Sequence, residues 1–270
     1  MPELPEVETT RRGIIDALEG QTVQRVIIRQ HRLRWPIPND LPQQLEQQCI
    51  RSIGRRSKYL LFHTDTGTLL LHLGMSGRLR LIEPSLPADK HDHVDLVFTN
   101  IALRFTDPRR FGSLLWTDTQ PEKHVRLKDL GPEPLETTFN GDTLFDAAQH
   151  RKSPIKTVIM NANVVVGVGN IYASEALFRA GIAPTRSANR ISRQRYQRLA
   201  DAIKSTLHQA IRMGGTTLND FYQTDGKPGY FQQQLNVYDR AQEPCTQCSQ
   251  PIRKITQAQR STFYCPHCQH

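Results

Sequence analysis

Four cysteines near the end of the printed chain constrain its fold more than any other feature. They form two Cys-x2-Cys pairs separated by 16 residues. Two such pairs are typical of a tetrahedral zinc site that leaves no open position for water, so the ion would be structural. A redox dithiol would need only one pair, in a βαβ context that is absent. Nearby His267 and His270 are disfavoured as ligands because four thiolates already fill the site. The predicted ligands of one Zn2+ ion are Cys245, Cys248, Cys265 and Cys268.

The residues between the two cysteine pairs, 249–264, are expected to form a short hairpin that is too small to fold without the metal. Arg253, Lys254 and Arg260 lie on this segment, and no acidic residue accompanies them. The whole chain carries a net charge of +9. Contact with a polyanion such as DNA is therefore favoured over a merely solvated basic surface.

The remaining features bear on the compartment. Cys49, the fifth cysteine, is isolated and is interpreted as a small apolar filler. No apolar run approaches the ~20 residues that span a bilayer. The first twelve residues carry acidic side chains from Glu3 onward and lack the apolar core of a signal peptide. These features predict a protein of the reducing cytoplasm with no membrane partner.

The first half of the chain changes from helical to strand-like periodicity. Residues 6–18 are predicted to be helical, because Val7, Ile14, Ile15 and Leu18 share one face and Gly20 can end the helix. Many short strands with regular turns then favour an antiparallel sandwich or barrel. The predicted strands are 23–29, 58–63, 68–73, 77–83, 93–98, 101–106 and 112–117.

The pattern changes again at residues 130–134, Leu-Gly-Pro-Glu-Pro, which are interpreted as a linker. From about 142 to 222 the periodicity is helical, and residues 226–229 are predicted to be an exposed loop. The predicted class is α+β multidomain, with an N-terminal antiparallel β-sandwich behind a leading helix, a helical domain and a C-terminal four-cysteine zinc finger. The predicted domains are 1–130, 131–225 and 236–270.

The N-terminus offers a potential nucleophile. Proline is small enough that a methionine aminopeptidase is expected to remove Met1 and expose the secondary amine of Pro2. Attack of this amine on C1′ of a sugar would give an iminium ion that acidifies the C2′ proton for elimination. Glu3 and Glu6 could supply a general acid and a group that orients the amine. On composition alone, a simple helix lead-in with acidic residues near the helix dipole is the favoured alternative.

Eight motifs, which occur in a fixed order along the chain, favour the catalytic interpretation of the N-terminus over the simple helix lead-in. PELPEVE stands at 2–8, and the others occupy 58–61, 72–77, 107–112, 130–135, 165–175, 226–231 and 259–265. In sequence and order they resemble the formamidopyrimidine-DNA glycosylase family, also called 8-oxoguanine DNA glycosylase. The resemblance runs along the whole chain and implies a β-sandwich, a helix–two-turn–helix domain and a zinc finger. It also implies action as a monomer on damaged double-stranded DNA.

The resemblance implies an activity and the residues that perform it. Oxidised purines (8-oxoguanine and formamidopyrimidines) would be excised through a Schiff base to Pro2, and β- and δ-elimination would then cleave the strand. Glu3 matches the general acid of the family. Lys58, expected on strand 58–63, matches a lysine that serves in elimination. Arg260 matches an arginine credited with the δ step and with phosphate contact. The catalytic candidates are Pro2, Glu3, Glu6, Lys58 and Arg260.

A glycosylase must flip its target base out of the duplex and fill the void that remains. Met75, Arg110 and Phe111 match the void-filling residues of the family, although core packing is the ordinary interpretation of Met75 and Phe111. Asn170 is predicted locally to be a helix N-cap, and the resemblance adds a phosphate contact there. The other residues matched to DNA contact are His72, His91, Arg151 and Lys156.

The chain departs from the family pattern in Tyr238-Asp239-Arg240, where the family commonly has Tyr-Gly-Arg. Its preference among damaged purines is expected to depend on a loop within 214–230. Three alternatives remain: an endonuclease VIII-like glycosylase for oxidised pyrimidines, a zinc-dependent DNA-binding protein without catalysis, and an RNA-directed binder. The last is poorly supported because only 7% of the residues are aromatic.

Overall fold

The computed structural model describes residues 2–216 and 231–270. The chain divides into two units, one comprising Met1–Lys128 and Met213–Tyr230, the other Asp129–Arg212 and Phe231–His270. The loop predicted at 226–229 lies outside the described residues, as does most of the predicted base-recognition segment. The two units are described separately below.

The first unit begins with helix α1, Leu4–Leu18. It starts two residues before the predicted position because the Glu6 carboxylate accepts the backbone N–H of Glu3 at 2.8 Å. This bond satisfies a donor that would otherwise lack a partner at the start of a helix. Val7, Ile14 and Leu18 are at most 1% exposed, whereas Ile15 is only partly buried at the edge of the same core, so three of the four predicted residues form the buried face.

Eight strands, one short α-helix, α2 (Leu41–Leu45), and a 3-10 helix, Pro121–Lys123, complete the elements described for this unit. Seven of the strands lie where strands were predicted, and their ends are shifted by at most two residues. The structure adds a strand that was not predicted, because its sequence Ser-Ile-Gly-Arg-Arg buries only Ile53. The strands are β1 (Arg25–Ile28), β2 (Ser52–Arg56), β3 (Tyr59–His63), β4 (Thr68–His72), β5 (Arg78–Ile82), β6 (Asp92–Val97), β7 (Ala102–Thr106) and β8 (Ser113–Thr117).

These strands form two antiparallel sheets of four strands, ordered β1-β6-β7-β5 and β2-β3-β4-β8. One apolar core takes residues from both sheets and from α1, as the predicted sandwich requires. One detail of the prediction is wrong. Lys58 is not on a strand but in the two-residue turn between β2 and β3, where Arg56 pairs with Tyr59. Ser57 takes the left-handed conformation that this tight turn requires, with φ +57.

A buried ionic network crosses the β1-β6-β7-β5 sheet. Arg104 is 1% exposed and donates two hydrogen bonds of 2.8 Å to the carboxylate of Asp95. It also donates to Asp92 and to the backbone carbonyls of Leu86 and Pro87. A buried guanidinium is tolerated only when its donors are paired in this way. The network therefore attaches the loop that leads to His91 to the sheet.

The second unit contains the zinc module and the predicted helical region as far as Arg212, where the last α-helix of the described residues ends ten residues before the predicted limit of 222. The longest helix has one buried face and packs against two of the others. The predicted hairpin is confirmed as two antiparallel strands. No helix among the described residues combines the length and the apolar character needed to cross a bilayer. The α-helices and strands are α3 (Gly141–Ala148), α4 (Ile155–Ile159), α5 (Asn170–Arg179), α6 (Arg193–Arg212), β9 (Arg253–Gln257) and β10 (Arg260–Tyr264), and 3-10 helices occupy Ala188–Arg190 and Phe231–Gln234.

The departure at Asp239 has a visible backbone consequence. Asp239 has φ +60, in the left-handed region that glycine adopts without cost and that aspartate tolerates better than most residues. The next residue, Arg240, donates hydrogen bonds to the carbonyls of Asn236 and Pro244. The turn before the zinc module is thus formed without the glycine of the family.

Candidate active site and DNA-binding residues

The N-terminal candidates lie at the start of α1. Pro2 is buried, Glu3 is 3% exposed and Glu6 is 2% exposed. One oxygen of Glu6 accepts the N–H of Glu3 at 2.8 Å, and the other accepts the N–H of Thr216 at 2.8 Å. The preceding residue, Gly215, has φ +82, and a Cβ there would lie 3.0 Å from Glu6 Oε1. Glu6 therefore fixes the backbone beside Pro2 and connects it to residues 215–216.

Glu8 connects the same helix to the turn that carries Lys58. Its carboxylate accepts hydrogen bonds from Arg11 and Arg12 on α1 and from Arg55 on β2. Arg55 also donates to the carbonyl of Ser57 at 2.8 Å, directly before Lys58. Burial alone would raise the pKa of Glu8, but the hydrogen bonds from Arg11 and Arg12 and the charges of Arg11 and Arg55 outweigh it and lower the pKa to about 2.

Glu8→Gln is expected to destabilise the first unit by about 1–2 kcal/mol at pH 7, a value that allows for solvent screening. A lowered folded-state pKa gives stability that is present above the unfolded value of 4.5 and is lost as the pH falls toward about 2. The difference between wild type and variant should therefore shrink below pH 4.5. Urea unfolding can be followed by the fluorescence of Trp35 and Trp116. The exposed Glu83→Gln is the control, and a pH-independent difference for Glu8→Gln would contradict the prediction.

His72 ends β4 beside a close approach of two loops. The Nδ1 atom of its ring accepts the N–H of Gly74 at 2.9 Å, so the proton of the neutral ring is assigned to Nε2. Burial, together with the charges of Lys58 and Arg34, lowers the pKa of His72 to about 4. The ring is thus neutral at physiological pH and can donate a hydrogen bond to a phosphate from Nε2.

Asp107 holds together the two loops that carry the predicted void-filling residues. It is 0% exposed, and its carboxylate accepts hydrogen bonds of 2.8 Å from the hydroxyl of Ser76 and from the N–H of Gly112. Gly74, with φ +68, lies so close to the second loop that a Cβ would be 2.4 Å from the Gly112 nitrogen. The loop of Met75 and the loop of Arg110 and Phe111 are therefore adjacent.

The exposure of these loops argues against core packing. Met75 is 37% exposed and Phe111 is 41% exposed, and only two other large apolar side chains among the described residues are as exposed. Arg110 is exposed too, with φ +57. The guanidinium of Arg109 lies over the Phe111 ring at 4.9 Å. An apolar ring and thioether presented to solvent on adjoining loops could enter a duplex where a base has been flipped out.

Asp107→Asn is expected to cost about 2–3 kcal/mol, because one buried acceptor oxygen becomes an amide that cannot accept. Displacing the loops should slow base excision from an intact duplex by about 10–100-fold. Cleavage at a preformed abasic site should be slowed less, since no base has to be flipped. Single-turnover rates on the two substrates test this, with exposed Asp118→Asn as the control. Equal slowing on both substrates would reduce Asp107 to a role in folding.

His91 belongs to the same arrangement, and its carbonyl accepts the N–H of Asp107 at 3.0 Å. The carbonyl of Asp107 in turn lies 2.7 Å from Nε2 of His93. His91 is half-buried, and the buried Arg104 network attaches the loop before it to the sheet. Its position is thus determined by contacts with β6, β7 and the loop of Asp107.

In the second unit, a cavity of 280 Å³ is lined by Lys156, Asn170 and Arg260. Lys156 is 2% exposed, and its Nζ donates to Thr262 Oγ1 at 2.8 Å. The side-chain nitrogen of Asn170 donates to the Ser261 carbonyl at 2.9 Å, while its buried Oδ1 has no hydrogen-bond partner. Cationic and amide donors around a cavity at the start of a helix suit a phosphate.

The predicted capping role of Asn170 is wrong. Gly169 is the N-cap of α5, with extended backbone, and Asn170 is the first helical residue. Because the side chain of Asn170 is engaged by β10, it does not cap its own helix. Arg151 lies elsewhere in the unit: it is exposed and donates to the carbonyl of Ala147 at the end of α3. The structure does not place Arg151 in the cavity.

The four cysteines of the zinc motif converge. Their sulfur atoms all lie within 4.8 Å of one another, with Cys245 3.9 Å from Cys268 and Cys248 3.5 Å from Cys265. Zn–S bonds of about 2.3 Å in a tetrahedron place thiolates about 3.8 Å apart, so these four residues fit one ion. His267 and His270 are exposed and are not part of the cluster.

Comparison with known families covers most of the chain. The N-terminal domain of formamidopyrimidine-DNA glycosylase matches residues 1–114, and the H2TH domain of the same enzyme matches residues 130–222. The chain belongs to the formamidopyrimidine-DNA glycosylase family. A third match, to the zinc finger found in FPG and IleRS, covers residues 242–270 and makes the cysteine cluster the structural zinc site of this family member.

Relatives that are matched over their full length support the same family assignment. Proteins called formamidopyrimidine-DNA glycosylase from Marinobacter nauticus and Alkalilimnicola ehrlichii are 57% and 55% identical, with all of both chains covered. The MutM (Fpg) crystal structure from Thermus thermophilus has a TM-score of 0.90 at 38% identity, covering 99% of this chain and 98% of that one. The structure of Lactococcus lactis Fpg in complex with DNA containing an abasic site has a TM-score of 0.92 at 33% sequence identity, and the match covers 99% of each chain. As a family member, the chain is a DNA glycosylase and AP lyase of base-excision repair.

Two residues that position the site were not anticipated. Glu8 lies within the PELPEVE motif, but its partner Arg55 is 47 residues away, so no local pattern indicates its role. Asp107 opens the motif at 107–112, yet its bond to Ser76 spans 31 residues. The presence of a charged residue within a motif is the only sign in the sequence that Glu8 and Asp107 matter, and it does not show which groups they contact.

Proposed function

We propose that this glycosylase removes oxidised purines from duplex DNA with Pro2 as the nucleophile. The amine attacks C1′ of the damaged nucleotide, the bond to the base breaks, and the base leaves with its electron pair. The attached amine loses its proton, and the C1′–O4′ bond then breaks with protonation of O4′, which opens the sugar and leaves an iminium ion between Pro2 and C1′. The observation that carries this proposal is the buried start of α1, where Glu6 accepts the N–H of Glu3 at 2.8 Å beside Pro2.

Glu3 is proposed as the general acid that supplies a proton as the ring opens or the base departs. It is 3% exposed and directly follows Pro2 in the chain. Glu6 is proposed to orient the backbone at Pro2 through its two accepted hydrogen bonds. Lys58 is proposed to assist elimination from its turn between β2 and β3, which Glu8 and Arg55 attach to α1.

Elimination then cleaves the strand. The iminium ion acidifies the C2′ proton, a base removes it, and the 3′ phosphate leaves in the β step. A second elimination releases the 5′ phosphate, and Arg260 is proposed to stabilise the charge of that leaving group. Arg260 is exposed at the start of β10 and lines the cavity described above.

The DNA contacts are proposed in two groups. Met75, Arg110 and Phe111 fill the void left by the flipped base, because the two exposed loops that carry them adjoin. The remaining contacts are with phosphates, and Arg151 has the weakest structural support because its side chain binds the end of α3. The proposed phosphate-binding residues are His72, His91, Arg151, Lys156 and Asn170.

The domain limits proposed from the sequence are 1–130, 131–225 and 236–270. We also propose that the protein works in the cytoplasm as a monomer. The matched regions 1–114, 130–222 and 242–270 support the order of the domains. A sedimentation measurement at micromolar concentration tests the monomer, and a dimer of defined mass would overturn it.

The test uses purified protein whose N-terminus has been sequenced. It is incubated with a duplex containing 8-oxoguanine opposite cytosine, reduced with borohydride, and analysed by mass spectrometry. A covalent adduct on Pro2 is the expected result. No adduct from protein with free Pro2 and bound zinc would require the proposed mechanism to be withdrawn. A parallel duplex with thymine glycol tests the substrate class, since clear preference for it would indicate an endonuclease VIII-like enzyme.

A further inference from the structure

Outside the proposed DNA contacts, Trp35 lies beside two arginines in the first unit. The guanidinium carbon of Arg126 is 3.7 Å from the centre of the indole ring, and that of Arg34 is 5.9 Å from it. Both arginines are exposed, whereas Trp35 is half-buried. We call Arg34, Trp35 and Arg126 the arginine–tryptophan cluster. The negative face of an aromatic ring attracts a cation placed over it, so the indole orients both guanidinium groups.

The two guanidinium groups differ from other arginines of this chain. Arg51 pairs with Asp65, and Arg193 pairs with Asp142. In the part of the chain that the structure describes, neither Arg34 nor Arg126 forms an ion pair or a side-chain hydrogen bond with a protein group. Two like charges against one ring repel each other, and an anion between or beside them would relieve that repulsion.

The cluster adjoins the residues proposed to bind DNA. The backbone N–H of Arg34 donates to the carbonyl of Gly112 at 3.1 Å, directly after Arg110 and Phe111. The charge of Arg34 also acts on His72, whose ring lies 4.8 Å from that of Tyr59. Burial raises the pKa of Tyr59, while the charges of Arg126 and Arg34 oppose that rise. Arg34 therefore places its positive charge near Tyr59 and His72, and Arg126 places its charge near Tyr59.

We propose that Arg34 and Arg126, held against Trp35, bind two backbone phosphates of the duplex on one side of the lesion. This inference rests on the proposed function and extends its DNA-binding surface to flanking base pairs. Guanidinium forks match phosphate oxygens, and a stacked guanidinium loses little further freedom when it binds. Each phosphate contact releases condensed counterions, so the cluster would contribute to the salt dependence of binding.

The test measures equilibrium binding by wild type and by R34A/R126A over 50–200 mM salt. The probes are duplexes with a stable abasic-site analogue, one with short arms and two in which only one arm is long. Removing two phosphate contacts should reduce the slope of log K against log salt by about 2. Over this salt range, wild-type affinity should fall about tenfold more than that of the variant. The difference in slope between wild type and variant should appear with only one of the two long-armed duplexes.

Two further variants make the result decisive. R25A/R198A removes two exposed arginines that form no side-chain ion pair or hydrogen bond among the described residues, and it should leave the slope unchanged. R34K/R126K keeps both charges and should restore most of the slope. The proposal is overturned if R34A/R126A has the same salt slope as wild type, or if its slope falls equally on the short duplex. It is also overturned if R25A/R198A lowers the slope by the same amount as R34A/R126A. Tighter binding to single strands than to either long-armed duplex would also overturn it.

The outcome is separate from the test of the proposed function. Borohydride trapping by R34A/R126A on saturating short duplex reports the chemistry at Pro2 and should equal that of wild type. If wild type itself fails to form the adduct, the proposed function fails, whatever the salt slopes. If trapping succeeds and the slopes do not differ, only the inference about the arginine–tryptophan cluster fails.

Discussion

Glu3→Gln is expected to slow excision of 8-oxoguanine by about 10²–10⁴-fold, the contribution of a positioned general acid. The substitution keeps the size of the side chain and removes the proton that the proposed mechanism requires. Strand cleavage at a preformed abasic site should be slowed much less, because the base has already gone and the Pro2 amine remains. Single-turnover rates on the two substrates, measured at saturating protein, give the comparison.

Exposed Glu83→Gln is the matched control for Glu3→Gln and should leave both rates unchanged. Glu3 is 3% exposed, so thermal unfolding of the variant must show that the fold is retained. If both substrates are slowed equally, Glu3 supports attack by the amine or the fold of the N-terminus. If neither is slowed, another group is the general acid.

Removing zinc is expected to abolish DNA binding while leaving the sandwich of the first unit folded. Structural zinc contributes about 10–16 kcal/mol to the folding of comparable small modules. The β9–β10 hairpin supplies Ser261 and Thr262, to which Lys156 donates hydrogen bonds, so unfolding it also dismantles the cavity of Lys156, Asn170 and Arg260. Chelation and Cys248→Ser should therefore give the same loss.

Zinc content, fluorescence anisotropy with labelled duplex and tryptophan fluorescence measure this outcome together. Both tryptophans, Trp35 and Trp116, belong to the first unit and report its folding separately from the zinc module. Cys49→Ser is the matched control, because Cys49 lies outside the four-cysteine cluster. Retention of DNA affinity by zinc-free protein would contradict the role given to the finger.

Contacts close in sequence could be anticipated well. Seven strands and the leading helix follow from apolar residues that repeat at the period of their element. The β2 strand and the turn at Lys58 were missed because alternation fails where arginines dominate and a two-residue turn lacks glycine. At Asn170 the local cap preference gave way to bonds with residues 68 and 91 positions away.

For the candidate site, the residue types could be predicted but their supports could not. Met75 and Phe111 were matched to void filling, yet only the structure shows them exposed at 37% and 41%. The bond from Ser76 to Asp107, which brings their loops together, joins residues 31 apart. Such a contact depends on how strands β4 to β8 fold back, and no local pattern encodes it.

The sequence by itself determined the leading helix, seven of the strands, the zinc ligands and the family, because periodicity, cysteine spacing and motifs are read along the chain. The tertiary structure alone decided which charged and polar groups meet. It brought Glu8 to Arg55, Asp107 to Ser76, and Arg126 to the ring of Trp35. The physical reason is that buried and stacked charges depend on partners selected by packing, and packing joins residues whose separation along the chain carries no signal.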